Sequence, residues 1–212
     1  RVDQLADGSH VILDYKTGVA HIGGWQGERP DEPQLPLYVV GAEPDAAAVA
    51  FAQVKAGAMG FSAGGHLCAD LATRFDVKTY EPVDDADALS ARPFIAAPIY
   101  PVIAMQKPNA HAGSREKLLG TAPTAAAEKR LSPHMNVPDN APPFFLLHAE
   151  DDDAVPVENS YLMRAALRAK GILTETHVFA HGGHGFGLRK AIGKPVEAWP
   201  DLFLGFARAQ GF

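Results

Sequence analysis

A serine flanked by small residues lies at positions 60–64, which are Gly-Phe-Ser-Ala-Gly and match the pattern G-x-S-x-G. This pattern is typical of a nucleophilic serine on a sharp turn between a strand and a helix. Such a turn needs small neighbours, and it presents the hydroxyl of Ser62 beside the first backbone N–H groups of the helix. The N–H of Ala63 is therefore a candidate donor to an oxyanion, and acyl transfer is the chemistry predicted at Ser62.

A serine nucleophile needs a general base and an acid that orients the base. Three consecutive aspartates, Asp151, Asp152 and Asp153, follow an apolar run at 144–148. His184 lies in the glycine-rich segment GGHGFG, just after β-forming residues at 174–179. Because open parallel sheets place their sites at the carboxyl ends of strands, we expect one of these aspartates and His184 to meet Ser62.

The elements that must position these residues alternate between short apolar strands and longer helices from residue 59 onward. This alternation predicts a parallel sheet flanked by helices. Gly171 is a suitable C-cap for the helix that precedes it. The predicted strands are Phe94–Met105, Phe144–His148 and Thr174–Phe179, and the predicted helices are Leu67–Phe75, Val157–Lys170 and Ala198–Gln210.

The first 57 residues have a different, β-rich character. Asp7-Gly8 is a hairpin signal, so Arg1–Leu5 is expected to pair with Ser9–Tyr15. The apolar run Val49–Val54 is the predicted strand leading into the turn at Ser62.

Composition narrows the class of protein. The chain has 212 residues with 19 basic and 25 acidic side chains, a net charge of −6, and no basic cluster that would indicate a nucleic-acid partner. No apolar run approaches the roughly 18 residues of a membrane span, and no signal peptide is evident. We therefore expect a soluble protein, and the sequence does not indicate its cellular compartment. The single cysteine, Cys68, is expected to be a buried helix residue.

From residue 58 onward the chain resembles the α/β-hydrolase esterases, especially bacterial acetyl-xylan and carbohydrate esterases. The segments that carry this resemblance are GFSAGGHL, LLHAEDDDAVPVENS and HVFAHGGHGFGL. The resemblance implies that Ser62 is the nucleophile, Asp152 the acid and His184 the base. It also implies a small-molecule ester substrate with a short acyl group and no cofactor or metal.

Residues 1–57 resemble instead a C-terminal fragment of RecB-type PD-(D/E)xK nucleases. The resemblance is carried by RVDQLADGS, by Asp14-Tyr15-Lys16 and by Gln34-x-x-x-Tyr38. It implies a metal held by an acidic pair and a lysine that helps to activate water. Asp3, or a residue before Arg1, is the candidate partner acid, and a metal-dependent nuclease remnant is the alternative function.

The two resemblances predict a chimera with a truncated α/β-hydrolase sheet, mainly parallel and with helices on both faces. Residues 58–212 form the catalytic part, and the N-terminal segment 1–57 completes or covers the open sheet edge, within one chain or across a homodimer. Gly24, or its neighbour Gly23, is a candidate second oxyanion donor because His21-Ile22-Gly23-Gly24 is similar to a HGGG loop.

Other polar residues are expected to be structural. His148 ends a strand, and His181 lies in a loop, as do Asp151 and Asp153, which are interpreted as solvated acids or caps. A metal site at His177, His181 and His184 is a further alternative, as is a folded protein without catalysis.

Overall fold

The computed structural model describes residues 57–82 and 89–211, together with the backbone of three N-terminal strands at 2–4, 10–16 and 48–53. Seven strands form one sheet whose spatial order follows the chain. Their bounds are β1 Val2–Gln4, β2 His10–Lys16, β3 Ala48–Gln53, β4 Gly57–Phe61, β5 Ala96–Ile99, β6 Phe144–Ala149 and β7 Thr174–Phe179.

The strands β4 to β7 run parallel to one another, as the alternation of strands and helices predicts. Their carboxyl ends therefore meet at one edge of the sheet, where Ser62 follows β4 and the aspartates follow β6. The α/β-hydrolase-like fold expected from the sequence is confirmed for this part of the chain.

The N-terminal strands extend the sheet beyond β4. The strand β3 pairs with β4 in the antiparallel direction and with β2 in the parallel direction, while β1 and β2 form the predicted antiparallel pair. The strand that leads into Ser62 is β4, so the assignment of that role to Val49–Val54 is wrong. That run forms β3 instead. The expected strand before Ser62 is Gly57–Phe61, whose β propensity is lowered by Gly57 and Gly60.

Helices cover both faces of the parallel part. They are α1 Ala63–Arg74, α2 Ala112–Leu119, α3 Ala125–Arg130, α4 Glu158–Ala169 and α5 Trp199–Ala209, with short 3₁₀ turns at Pro133–Met135 and Pro195–Ala198. None of the helices in the described part of the chain has both the length and the apolar character needed to cross a bilayer.

Two apolar clusters fill the space between the helices and the sheet. Phe145 and Leu147 point to the face that α5 covers, where they pack with Trp199 and Phe206. The alternate residues of β6 point to the other face and pack with α1 and α4, whose buried residues include Cys68, Ala72, Met163 and Leu167. Successive side chains of a strand point to opposite faces, so β6 is buried on both sides, and all of its residues except His148 are apolar.

The strand β5 is shorter than the predicted Phe94–Met105. It ends at Ile99 because Tyr100 takes a left-handed backbone conformation, with φ of 36°, and Pro101 follows with no N–H to donate. The buried segment beyond it is bonded to side chains rather than to a neighbouring strand. The N–H groups of Ile103 and Ala104 both donate to Oδ1 of Asn159, each at 2.8 Å.

The helices largely follow the sequence-based expectation. The helix α1 begins four residues earlier than predicted, directly after Ser62, and Gly171 ends α4 with a left-handed φ of 70°. The short helices α2 and α3 were not predicted, because each contains few apolar residues and buries none completely.

Gly60 allows β4 and α1 to approach closely. A Cβ at this position would overlap the backbone carbonyl of Gly64, so Gly60→Ala should lower the free energy of unfolding by about 3 kcal/mol, measured by urea denaturation. Gly205→Ala is the control, because a Cβ there has open space. It should raise stability by about 0.5–1 kcal/mol through helix propensity. Equal stability of the two variants would contradict this account of Gly60.

Candidate active site

Ser62 occupies the turn between β4 and α1 in a strained backbone conformation, with φ 54° and ψ −118°. A non-glycine residue takes a positive φ only where the surrounding structure enforces it. Here the N–H of Ser62 donates to Ile99 and its carbonyl accepts from Val102 and His66. The hydroxyl makes no capping bond to α1, so it is available to a partner across the site.

The ring of His184 meets that hydroxyl. Nε2 of His184 lies 2.8 Å from Oγ of Ser62, and Nδ1 lies 2.7 Å from Oδ2 of Asp152. Since a carboxylate only accepts, Nδ1 carries the hydrogen and Nε2 is free to accept the serine proton. The structure thus brings together Ser62, Asp152 and His184.

The carboxylate of Asp152 has no solvent exposure, and four donors surround it. Oδ1 accepts from the backbone N–H groups of Val155 at 2.8 Å and Ala154 at 3.0 Å. Oδ2 lies near two imidazole rings, those of His184 and, at 3.2 Å, His148. Both oxygens are therefore fixed in position.

Two opposing effects act on the pKa of Asp152. Burial raises the pKa, but the hydrogen bonds from His148, His184, Val155 and Ala154 favour the charged form and together outweigh burial. The pKa is held well below its ordinary value, so the carboxylate stays ionised at neutral pH.

The loop that carries His184 is bound to Asp151. Oδ1 of Asp151 accepts from the N–H groups of Gly182 at 2.8 Å and Gly183 at 2.7 Å, and these bonds lower the pKa of the carboxyl. Gly183 and Gly185 have φ of 66° and 69°, a region that favours glycine. Asp151 is thus a cap for the loop of His184, one of the two roles expected for it.

Tyr100 and Trp199 contact the other side of this loop, and no motif in the sequence marks either side chain as part of the site. The Tyr100 ring packs edge-to-face on His184 with a centroid distance of 5.0 Å, and its hydroxyl accepts from the N–H of Gly187 at 3.3 Å. Burial raises the pKa of Tyr100 to about 12, so it stays neutral. The indole Nε1 of Trp199 donates to the carbonyl of Gly187 at 2.8 Å.

The predicted oxyanion donors are the backbone N–H groups of Ala63 and of Gly23 or Gly24. The N–H of Ala63 belongs to the first turn of α1, whose leading N–H groups have no acceptor within the helix. Its role as a donor stays a prediction. Gly23 and Gly24 lie outside the described residues.

The nuclease-like motif is only partly described. Asp14 and Lys16 lie in β2, opposite Phe51 and Gln53 of β3, whereas Gln34 and Tyr38 lie outside the described residues. The register of β1 places Asp3 opposite Val11, three residues along the strand from Asp14. A shift of three residues is about 10 Å, so the backbone does not place Asp3 opposite Asp14 as a partner acid.

His177 and His181, the other two histidines of the candidate metal site, each have a carboxylate partner of their own. His177 lies 2.7 Å from Glu175, and Nδ1 of His181 lies 3.4 Å from Asp151. Within the described ranges, no group of three or more His, Cys, Asp or Glu side chains is arranged to hold a metal. Burial raises the pKa of the Cys68 thiol to about 12, which excludes a thiolate nucleophile at neutral pH.

A helix-covered parallel sheet, with a strained serine after one strand and its histidine and acid after two others, defines a hydrolase-like α/β protein. The chain belongs to the BD-FAE family, whose model matches residues 42–167. This match includes β3 as well as the elements from β4 to most of α4. The boundary between residues 57 and 58 lies inside it and stays a prediction, as does the nuclease resemblance.

The proteins similar to this chain include two curated relatives and a solved structure. Endo-1,4-beta-xylanase B of Butyrivibrio fibrisolvens is 46% identical over 128 residues, which cover 60% of this chain and 20% of the xylanase. The acetylxylan esterase of Xylanibacter ruminicola is 32% identical over 143 residues, covering 62% of this chain and 26% of the esterase.

The solved structure is an acetyl ester-xyloside bifunctional hydrolase from Caldicellulosiruptor lactoaceticus. It has 40% identity and a TM-score of 0.69, covering 74% of this chain and 57% of that one. The chain thus spans about a fifth to a quarter of the curated relatives and little more than half of the solved one.

The lowered pKa of Asp152 makes stability depend on acid pH. The ionised carboxylate adds to the free energy of unfolding at any pH above its pKa in the unfolded chain, which is about 4. This contribution is lost as the pH falls toward the lower pKa of Asp152 in the folded protein. Asp152→Asn should therefore show a smaller fall in Tm than the wild type between about pH 5 and about pH 2.5. Asp153→Asn, at an exposed neighbour, should keep the wild-type slope. Three parallel slopes would contradict the assignment.

Asp151 should matter for turnover because it fixes the loop of His184. Asp151→Ala frees the N–H groups of Gly182 and Gly183, and we expect kcat for an activated ester to fall by roughly tenfold as the imidazole loses its position. Asp153→Ala removes a neighbouring exposed carboxylate and should leave kcat at the wild-type level. Loss of activity in both variants would indicate a general charge effect instead.

Proposed function

We propose that this chain carries a serine ester hydrolase site that acts through an acyl-enzyme. The observation that carries the proposal is the unbroken series of hydrogen bonds from Ser62 through His184 to Asp152, with distances of 2.8 and 2.7 Å. This arrangement meets the geometric requirement for a base that accepts the proton of a serine hydroxyl.

In the first half-reaction, Oγ of Ser62 attacks the ester carbonyl while its proton passes to Nε2 of His184. The N–H of Ala63, in the first turn of α1, is the proposed donor to the oxyanion. The tetrahedral intermediate then breaks its bond to the alcohol, which leaves with the proton from His184. The acyl group remains on Ser62.

In the second half-reaction, His184 takes a proton from water as the water oxygen attacks the acyl carbonyl. The second tetrahedral intermediate releases the carboxylic acid, and the proton held by His184 returns to Oγ of Ser62. The ionised carboxylate of Asp152 stabilises the imidazolium that forms in both halves.

The proposed substrates are short-acyl esters, in particular acetyl groups carried on carbohydrate. The support comes from relatives whose names specify acetylxylan esterase and acetyl ester-xyloside hydrolase activity. Acetate release from acetylated xylo-oligosaccharides, compared with p-nitrophenyl acetate and p-nitrophenyl octanoate, tests this substrate class. Hydrolysis of the octanoate alone would contradict it.

Ser62→Ala tests the mechanism. The variant should lose at least about 10³-fold in kcat for p-nitrophenyl acetate, because the group that forms the covalent intermediate is gone. A fluorophosphonate probe should label the wild type and leave Ser62→Ala unlabelled, and EDTA should not change the rate.

The control for Ser62→Ala is Ser90→Ala, which removes an exposed hydroxyl. It should retain wild-type labelling and turnover. Equal rates for wild type and Ser62→Ala, with both shown to be folded by circular dichroism, would overturn the proposed function.

A further inference from the structure

Two buried side chains, His148 and Ser160, extend the hydrogen bonds of Asp152 beyond His184 and Ser62. His148 is near the end of β6 and Ser160 lies in the first turn of α4, and both are fully buried. Nδ1 of His148 is 2.8 Å from Oγ of Ser160. The ring is thus held from one side by α4 while its other nitrogen faces the carboxylate.

The partners of His148 determine where one of its hydrogens lies. Nε2 is 3.2 Å from Oδ2 of Asp152 and 3.1 Å from the carbonyl oxygen of Val155. Both of these oxygens are acceptors, so Nε2 carries a hydrogen that they share. In the neutral ring, Nδ1 then accepts the hydroxyl proton of Ser160.

The second imidazole competes with the first for the same oxygen. Oδ2 of Asp152 accepts from Nδ1 of His184 at 2.7 Å and from Nε2 of His148 at the longer distance of 3.2 Å. A donor on Oδ2 withdraws charge from the oxygen that stabilises the imidazolium of His184. Therefore His148 affects more than the position of Asp152.

We propose that His148, held by Ser160, is a positioning residue that fixes Asp152 toward His184 and limits how strongly the carboxylate retains a proton on His184. The inference rests on the proposed function, since it assigns His184 as the general base. It extends the hydrogen-bond series to five side chains, from Ser62 to Ser160.

The surroundings contain few other groups that titrate. Tyr100 contacts the ring of His184, and its pKa is raised by burial. His111, at the start of α2, interacts electrostatically with His184 and Asp152, and burial is the main cause of its lowered pKa. On the chain segment of Asp152 itself, Asp151 is bonded to Gly182 and Gly183.

Two amide variants of His148 distinguish the proposed positioning role of this residue from a role in packing alone. In His148→Gln the amide nitrogen can replace Nε2 as a donor to Asp152, whereas in His148→Asn the shorter amide reaches only the position of Nδ1. We expect His148→Gln to keep kcat for p-nitrophenyl acetate within about threefold of wild type and His148→Asn to lose roughly tenfold to a hundredfold.

The pH dependence of kcat/KM distinguishes the two roles, because a residue that only supports the fold would leave this dependence unchanged. Without the donor from His148, Asp152 holds the imidazolium more strongly, so the acid limb of kcat/KM should move to higher pH in His148→Asn. Ser160→Ala should move it in the same direction by a smaller amount. Thr73→Val is the control, since it removes a buried hydroxyl that bonds only within α1, and its profile should match wild type.

Histidine NMR separates failure of this inference from failure of the proposed function. In ¹⁵N-histidine-labelled protein the titration of His184 should shift upward in His148→Asn and stay unchanged in His148→Gln, whether or not the wild type hydrolyses esters. Equal behaviour of the two amide variants, or a lower Tm with unmoved titrations, would overturn the role of His148. An inactive wild type with the expected NMR shifts would overturn only the proposed function.

Discussion

The buried carboxylate of Asp152 is the constraint on which the site depends. A fully desolvated charge is costly unless donors surround it, and here two backbone N–H groups and two imidazoles do so. Those donors come from the turn after β6, from β6 itself and from the loop after β7. The need to satisfy one carboxylate therefore brings three parts of the chain to the same edge of the sheet, opposite the serine that follows β4.

The sheet makes this convergence possible because its four parallel strands end at a common edge. The carboxyl end of each strand positions a different part of the site. The close packing at Gly60 sets the turn of Ser62, the left-handed Tyr100 ends β5 and places an aromatic ring against His184, and β6 supplies the acid. The central strands β5 and β6 are buried on both faces, so their ends have little freedom to move.

Much of this arrangement could be predicted because the signals are local. The pattern around Ser62, the aspartates after β6 and the glycines around His184 each lie within a few residues of one another. What could not be predicted depends on distant partners. The early end of β5 and the aromatic support of His184 both depend on a backbone conformation that tyrosine rarely adopts. The segment beyond β5 relies on Asn159, whose Oδ1 accepts from the N–H groups of Ile103 and Ala104. The run Val49–Val54 is wrongly predicted to lead into Ser62, because the glycines of β4 allow close packing and lower the β propensity of the true lead-in strand.

Asn159 has a consequence for how the molecule assembles. Its side chain uses two acceptor and two donor positions, accepting from Ile103 and Ala104 and donating to the carbonyls of Asn109 and Pro156. Three of these bonds join residues fifty or more positions apart, and closing a loop of that length costs about 3–4 kcal/mol of chain entropy. That cost is incurred once for all three bonds. The segment 103–109 and the first turn of α4 therefore fold and unfold together as a single cooperative unit.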